Sequence, residues 1–136
     1  MVKLIFGSTG SGKTKTIIDM VNAAVKESKG NVVCIAKGDK LKFDISYDAR
    51  LINVDEYAVR GFDQLMGFVA GMHAGNYDIC QFYVDDLGKV VGSKDDNDCE
   101  NFLKELDAFA TKHEVDFIIA VNGDESGLTE EMKKYL

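Results

Sequence analysis

Residues 7–14 read Gly7-Ser8-Thr9-Gly10-Ser11-Gly12-Lys13-Thr14, the spacing G-x-x-x-x-G-K-T. These residue types in this order suit phosphate chemistry. Glycine takes backbone conformations closed to other residues and lets the chain come close to a ligand. Consecutive N–H groups in such a loop turn inward and cradle phosphate oxygens. A helix opening directly afterwards adds unpaired N–H groups and the positive end of its dipole. Lys13 then reaches β- and γ-phosphates, and the Thr14 hydroxyl meets Mg²⁺. Lys15 follows on the same first turn and joins the expected nucleotide contacts. With glycine near 7% of residues, the pattern arises by chance in roughly one chain of this length in a few hundred.

A loop of this kind needs a strand before it and a helix after it. Residues 2–6 (VKLIF) are a short apolar run, and Ile17, Ile18, Val21, Ala24 and Val25 recur at helical spacing across 14–29. Further strands are expected at 32–36, 51–54, 79–84 and 115–121. Helices are expected through Phe62, Leu65, Met66, Val69 and Met72, and through Phe102, Leu103, Leu106, Phe109 and Ala110. A short last helix holds Leu128, Met132 and Tyr135. Residues 37–49 read as a loop or small hairpin. The strands are continuous apolar runs, the pattern of strands buried on both faces of a parallel sheet. Strands alternating with helices give an α/β fold in one domain, 1–136.

At this point the sequence resembles the P-loop NTPase superfamily, with residues 7–14 as its Walker A motif. More narrowly it is similar to small stand-alone ATP-binding domains near the RecA and AAA-type branch. The resemblance implies a three-layer α/β/α fold with a mostly parallel sheet of about five strands, and ATP and Mg²⁺ as ligands. It also implies a second motif, an apolar strand ending in an aspartate that holds the metal. Residues 81–86 (QFYVDD) are the stronger candidate, with Asp85 lying 72 residues after Lys13; residues 51–56 (LINVDE) are the weaker, with Asp55 only 42 residues on. Asp85 is assigned to Mg²⁺. A strand-end acid is otherwise a solvated loop residue or a helix cap.

Hydrolysis requires a carboxylate that prepares water beside the γ-phosphate. Glu56 and Asp86 both qualify, and the choice stays open. Asn122 is a candidate polar sensor of the γ-phosphate; with Gly123 it also reads as a turn. Arg50 and Arg60 are the only arginines, and no arginine-bearing lid is visible. The expectation is a slow Mg²⁺-dependent ATPase, or one completed by the arginine of an unknown protein partner. The alternative is a nucleotide-responsive binding module with little turnover. A small-molecule kinase ranks lower, since it needs an acceptor pocket that the sequence does not reveal. GTPase activity also ranks lower. Asp85-Asp86-Leu87-Gly88 matches a DxxG pattern, but Asn122-Gly123-Asp124 is no NKxD guanine reader.

Charge and composition narrow the classes further. Residues 1–42 carry eight lysines against Asp19, Glu27 and Asp39; the net charge of −7 therefore puts −12 on the remainder. An acidic chain makes nucleic acid an unlikely partner, while the basic N-terminal third suits a small anion. No apolar run approaches the ~18 residues of a membrane span, and no signal peptide is read at the N-terminus. Cys34, Cys80 and Cys99 lack metal-ligand spacing and read as reduced thiols of a cytoplasmic protein. His73 and His113, 40 residues apart, read as surface or cap residues. The acidic run 95–100 reads as a helix N-terminus, not a calcium loop. Residues 37–42, with three lysines, read as a solvated loop. Ser8, Thr9 and Ser11 have no His–acid partners for a hydrolase triad.

Overall fold

The computed structural model describes residues 1–123 and 127–136; Asp124, the last member of the 122–124 run, lies outside them. Five strands form one sheet: β1 (Val2–Gly7), β2 (Asn31–Ala36), β3 (Ala49–Asn53), β4 (Ile79–Val84) and β5 (Asp116–Asn122). Their order across the sheet is β1-β5-β4-β2-β3, and every pairing is parallel. Helices α1 (Lys13–Glu27), α2 (Gly61–Gly75), α3 (Leu87–Val91), α4 (Asp96–His113) and α5 (Glu130–Lys133) connect or follow them. The result is the three-layer α/β/α architecture expected.

The two faces of the sheet bury different clusters. On one, Ile17, Val21 and Ala24 of α1 cover Val32, Cys34, Tyr83, Ile118 and Ala120. On the other, Leu65 and Val69 of α2 and Phe102, Leu103 and Leu106 of α4 cover Val33, Ile35, Phe82, Phe117 and Ile119. Neighbours along each strand thus point to opposite apolar layers, which explains the unbroken apolar runs. Phe82 and Phe117 sit opposite each other in the β4–β5 register, with rings stacked 5.0 Å apart.

The β2–β3 link departs from one of the two expected readings. Parallel strands need a crossover of about a dozen residues, which 37–48 supply, and no strand forms within them, so the segment is the loop and not the small hairpin. The segment runs as successive turns along the α1 side, where Leu41 and Ile45 are buried against that helix. Asn22 of α1 holds it in place by donating to Asp44 O and accepting from Ser46 N, both at 2.8 Å. At the opposite sheet edge, the Leu4 amide of β1 donates to Tyr135 O. The C-terminal segment thereby covers an edge that would otherwise be open to pairing.

This topology brings three strand ends together. Gly7 pairs in register with Asn122, and the Gly123 amide donates to Gly7 O at 3.0 Å. Val84 pairs with Ile119, so Asp85 and Asp86 emerge on the other side of β5 from the loop at 7–14. Among the described residues no helix is long and apolar enough to cross a membrane.

Candidate functional site

The loop after β1 is built by its glycines. Gly10 and Gly12 have φ of +85° and +90°, left-handed values that side chains oppose. The Ser11 amide closes a turn onto Ser8 O at 3.1 Å. Gly12 is the N-cap of α1, and no side-chain hydrogen bond caps that end. The first turn also lacks any acidic residue. The orphan N–H groups and positive dipole end are therefore left for an anion.

Lys13 is 8% exposed, a low value for a lysine. Its ammonium donates to Ser8 O at 2.8 Å and to Ser11 Oγ at 3.4 Å. The charge thus lies within the curl of the loop. Lys15 takes the opposite direction: it is exposed and pairs with Asp19 at 3.3 Å along the outer face of α1.

Thr14 Oγ1 donates to Asp85 Oδ1 at 3.0 Å, joining the start of α1 to the end of β4. Asp85 is 3% exposed. Among the described residues no basic group pairs with it. A buried carboxylate held by a hydroxyl alone is costly unless a positive ion compensates it. Its charge is felt at Cys34 on the neighbouring strand: burial first, and then Asp85, push that thiol up to about 12. The donor set suits Mg²⁺, which commonly takes one or two protein oxygens and completes its shell with phosphate and water. Among the described residues no cluster of three His, Cys, Asp or Glu side chains offers an all-protein metal site.

Asp86, the next residue, faces elsewhere. Its φ of +57° and ψ of +74° are left-handed, a conformation uncommon outside glycine that aspartate tolerates better than most side chains. This bend sends adjacent carboxylates in different directions, Asp85 to Thr14 and Asp86 towards β5. Asn122 Nδ2 donates to Asp86 Oδ2 at 3.0 Å, and the Lys89 amide donates to Asp86 Oδ1 at 3.4 Å, where Asp86 caps α3. Asp86 and Asn122 are therefore brought together beside Gly7 and the loop.

Glu56 is not brought to that place. It is exposed in a 3-10 turn (Val54–Tyr57) after β3, two strand positions from β4. Its neighbour Asp55 pairs with Lys37. Neither arginine bonds to the loop: Arg50 donates to the Tyr57 hydroxyl at 3.4 Å, and the Arg60 amide donates to Gln64 Oε1 at 2.8 Å.

Two features escaped the sequence reading. Helix α3 is one; its signal is the trio Leu87, Val90 and Val91, all buried. The other is the meeting of His73 and His113, whose rings lie 4.8 Å apart with Phe109 against both. Both histidines sit in the last turns of packed helices, α2 and α4. The acidic run 95–100 does open a helix: Asp95 accepts from the Asp98 amide at 2.9 Å as the N-cap of α4. All three cysteines are free.

No protein-family model matches the chain, and a search of curated proteins returns no match. The functional reading therefore stands on the loop, the two aspartates and Asn122.

Proposed function

We propose that this chain binds ATP with Mg²⁺ on residues 7–14 and hydrolyses it slowly. The observation that carries the reading is the 3.0 Å hydrogen bond from Thr14 to the buried Asp85. It joins the loop and the strand-end acid as a metal site requires. Thr14 and Asp85 hold the Mg²⁺, which supplies positive charge to the phosphate oxygens. Lys13 and the loop amides bind the β- and γ-phosphates. Asp86, oriented by Asn122 and the Lys89 amide, takes the proton of the attacking water. The free thiols, two of them buried, suit a reducing cytoplasmic compartment.

Lack of an arginine at the loop among the described residues favours a second reading, a nucleotide-responsive module with little turnover. Arginine often neutralises transition-state charge in phosphoryl transfer, and here a partner would have to supply it. Calorimetric titration with ATP, ADP and GTP, with and without Mg²⁺, tests both. The expected result is Mg²⁺-dependent ATP binding that Lys13→Ala abolishes. Binding without phosphate release would favour the module. Preference for GTP would move the reading to a GTPase, and no binding at all would overturn it.

A further inference from the structure

A cavity of about 480 Å³ opens beside the loop, against Thr9, Asp86 and Asn122. That size lies within the usual range for small-molecule pockets. Phe6, Phe62, Leu87 and Met132 give it an apolar wall. Lys89 and Lys94, both exposed, stand at its edge, with the exposed Asp96 beside Lys94. The Phe6 ring lies over the Gly123 backbone so closely that a Cβ there would meet Phe6 Cζ at 2.8 Å, so glycine keeps this wall in place. Asp86 is the hinge of the arrangement. Its left-handed backbone turns its carboxylate away from the metal pair and towards this space, and two hydrogen bonds fix it there. Non-glycine residues held in such conformations cluster at functional sites. A site that only positioned water would need neither the aromatic wall nor the two lysines at its edge.

We infer that this cavity is the acceptor site of a phosphotransferase, taking a small aromatic or heteroaromatic alcohol that carries an anionic group. The inference rests on the ATP site proposed above. The ring lies against Phe6 and Phe62, the anion meets Lys89 and Lys94, and the hydroxyl points to Asp86. The hydroxyl oxygen attacks the γ-phosphorus and forms a new P–O bond. The bond from that phosphorus to the β–γ bridging oxygen breaks, and its electron pair leaves with ADP. The hydroxyl proton passes to the Asp86 carboxylate and then to water. Without an acceptor, water enters the same space and slow hydrolysis results.

The test uses the whole chain with γ-³²P-labelled ATP, Mg²⁺ and either 4-(hydroxymethyl)benzoate or 5-(hydroxymethyl)-2-furoate as probe. The label released is divided between phosphate ester and inorganic phosphate. The expected result is ester formation with at least one probe. Lys89→Glu/Lys94→Glu, or separately Ser93→Trp at the cavity edge, should lower the ester-to-phosphate ratio at least tenfold. Two variants of different chemistry guard against one that fails to fold. Inorganic phosphate alone, with ATP turned over, would overturn the acceptor site and leave the ATP site standing. An ester whose yield ignores all these variants would overturn the location. No ATP binding or cleavage would remove the underlying reading, and this inference with it.

Discussion

Asn122, at the end of β5, donates to Asp86, just past β4, across 3.0 Å. The two residues come from strands adjacent in the sheet, and Gly7 stands in register with Asn122 on the far side. The bond fixes one oxygen of Asp86 while the Lys89 amide fixes the other. A carboxylate so tethered presents its remaining lone pairs in one direction, the condition for efficient proton transfer.

Phosphate release should separate Asp86 from Glu56. Removing a positioned general base commonly costs about 10²–10⁴-fold. Asp86→Asn is expected to lower turnover at least about a hundredfold in that range, with ATP affinity little altered. Asn122→Ala should lower turnover less, since Asp86 keeps the Lys89 amide. Glu56→Gln should leave turnover near that of the parent, because Glu56 lies two strand positions from β4. Steady-state phosphate release with calorimetric ATP affinity checks all three. A large loss in Glu56→Gln alone would reverse the assignment.

Asp85→Asn should move stability and ligand response in opposite directions. The substitution keeps the shape and an acceptor for Thr14 while removing a buried charge that no basic residue balances among those described. The protein alone should become more stable by about 1 kcal/mol, since burying an uncompensated charge is costly. The rise in melting temperature on adding Mg²⁺-ATP should shrink sharply, because that ligand's stabilisation follows its affinity. Thermal melts with and without Mg²⁺-ATP give both signs in one experiment.

How much of this was legible in the sequence follows from the range of each interaction. The loop is local: spacing alone places Gly10, Gly12, Lys13 and Thr14, and their backbone angles follow. Asp85 was legible because a buried strand must end somewhere, and a charge marks that end. The Asn122–Asp86 bond was not, since it depends on strand order, and β1-β5-β4 cannot be read from periodicity. Of the two readings of 37–49 the loop holds and the small hairpin does not, because Leu41 and Ile45 seat the segment against α1 as successive turns, a tertiary packing that no local pattern declares. Helix α3 is too short for its apolar residues to repeat at 3.6. His73 and His113 met because parallel β-α units lay α2 and α4 side by side, a tertiary consequence.

Core truncation should show which aromatic residues carry the fold. Phe82 is fully buried and stacks on Phe117 at 5.0 Å. Phe82→Ala removes both the transfer energy of the ring and the packing around it, at about 3–5 kcal/mol. Phe43 is 90% exposed on the 37–48 segment, and Phe43→Ala should stay within about 0.5 kcal/mol of the parent. Urea unfolding of the two variants measures the contrast. Equal effects would mean that Phe43 is buried in an assembly.

The thiols should report the fold through their pH dependence. Burial, with the charge of Asp85 second, pushes Cys34 up to about 12; burial, with Asp96 and Glu100, pushes Cys99 to about 11. Each starts from 9.0, so the folded protein favours the protonated thiol. A raised pKa of this kind stabilises the fold fully below about pH 9. That contribution declines as pH climbs through 11 and 12, because the unfolded chain then releases protons the folded one retains. Native-state labelling with iodoacetamide at pH 8 should therefore modify the half-buried Cys80 ahead of Cys34 and Cys99, which are buried from the reagent and held as unreactive thiols. In urea the parent should lose stability between pH 9 and 11 more steeply than Cys34→Ala/Cys99→Ala. Equal slopes would show that neither thiol is held protonated by the fold.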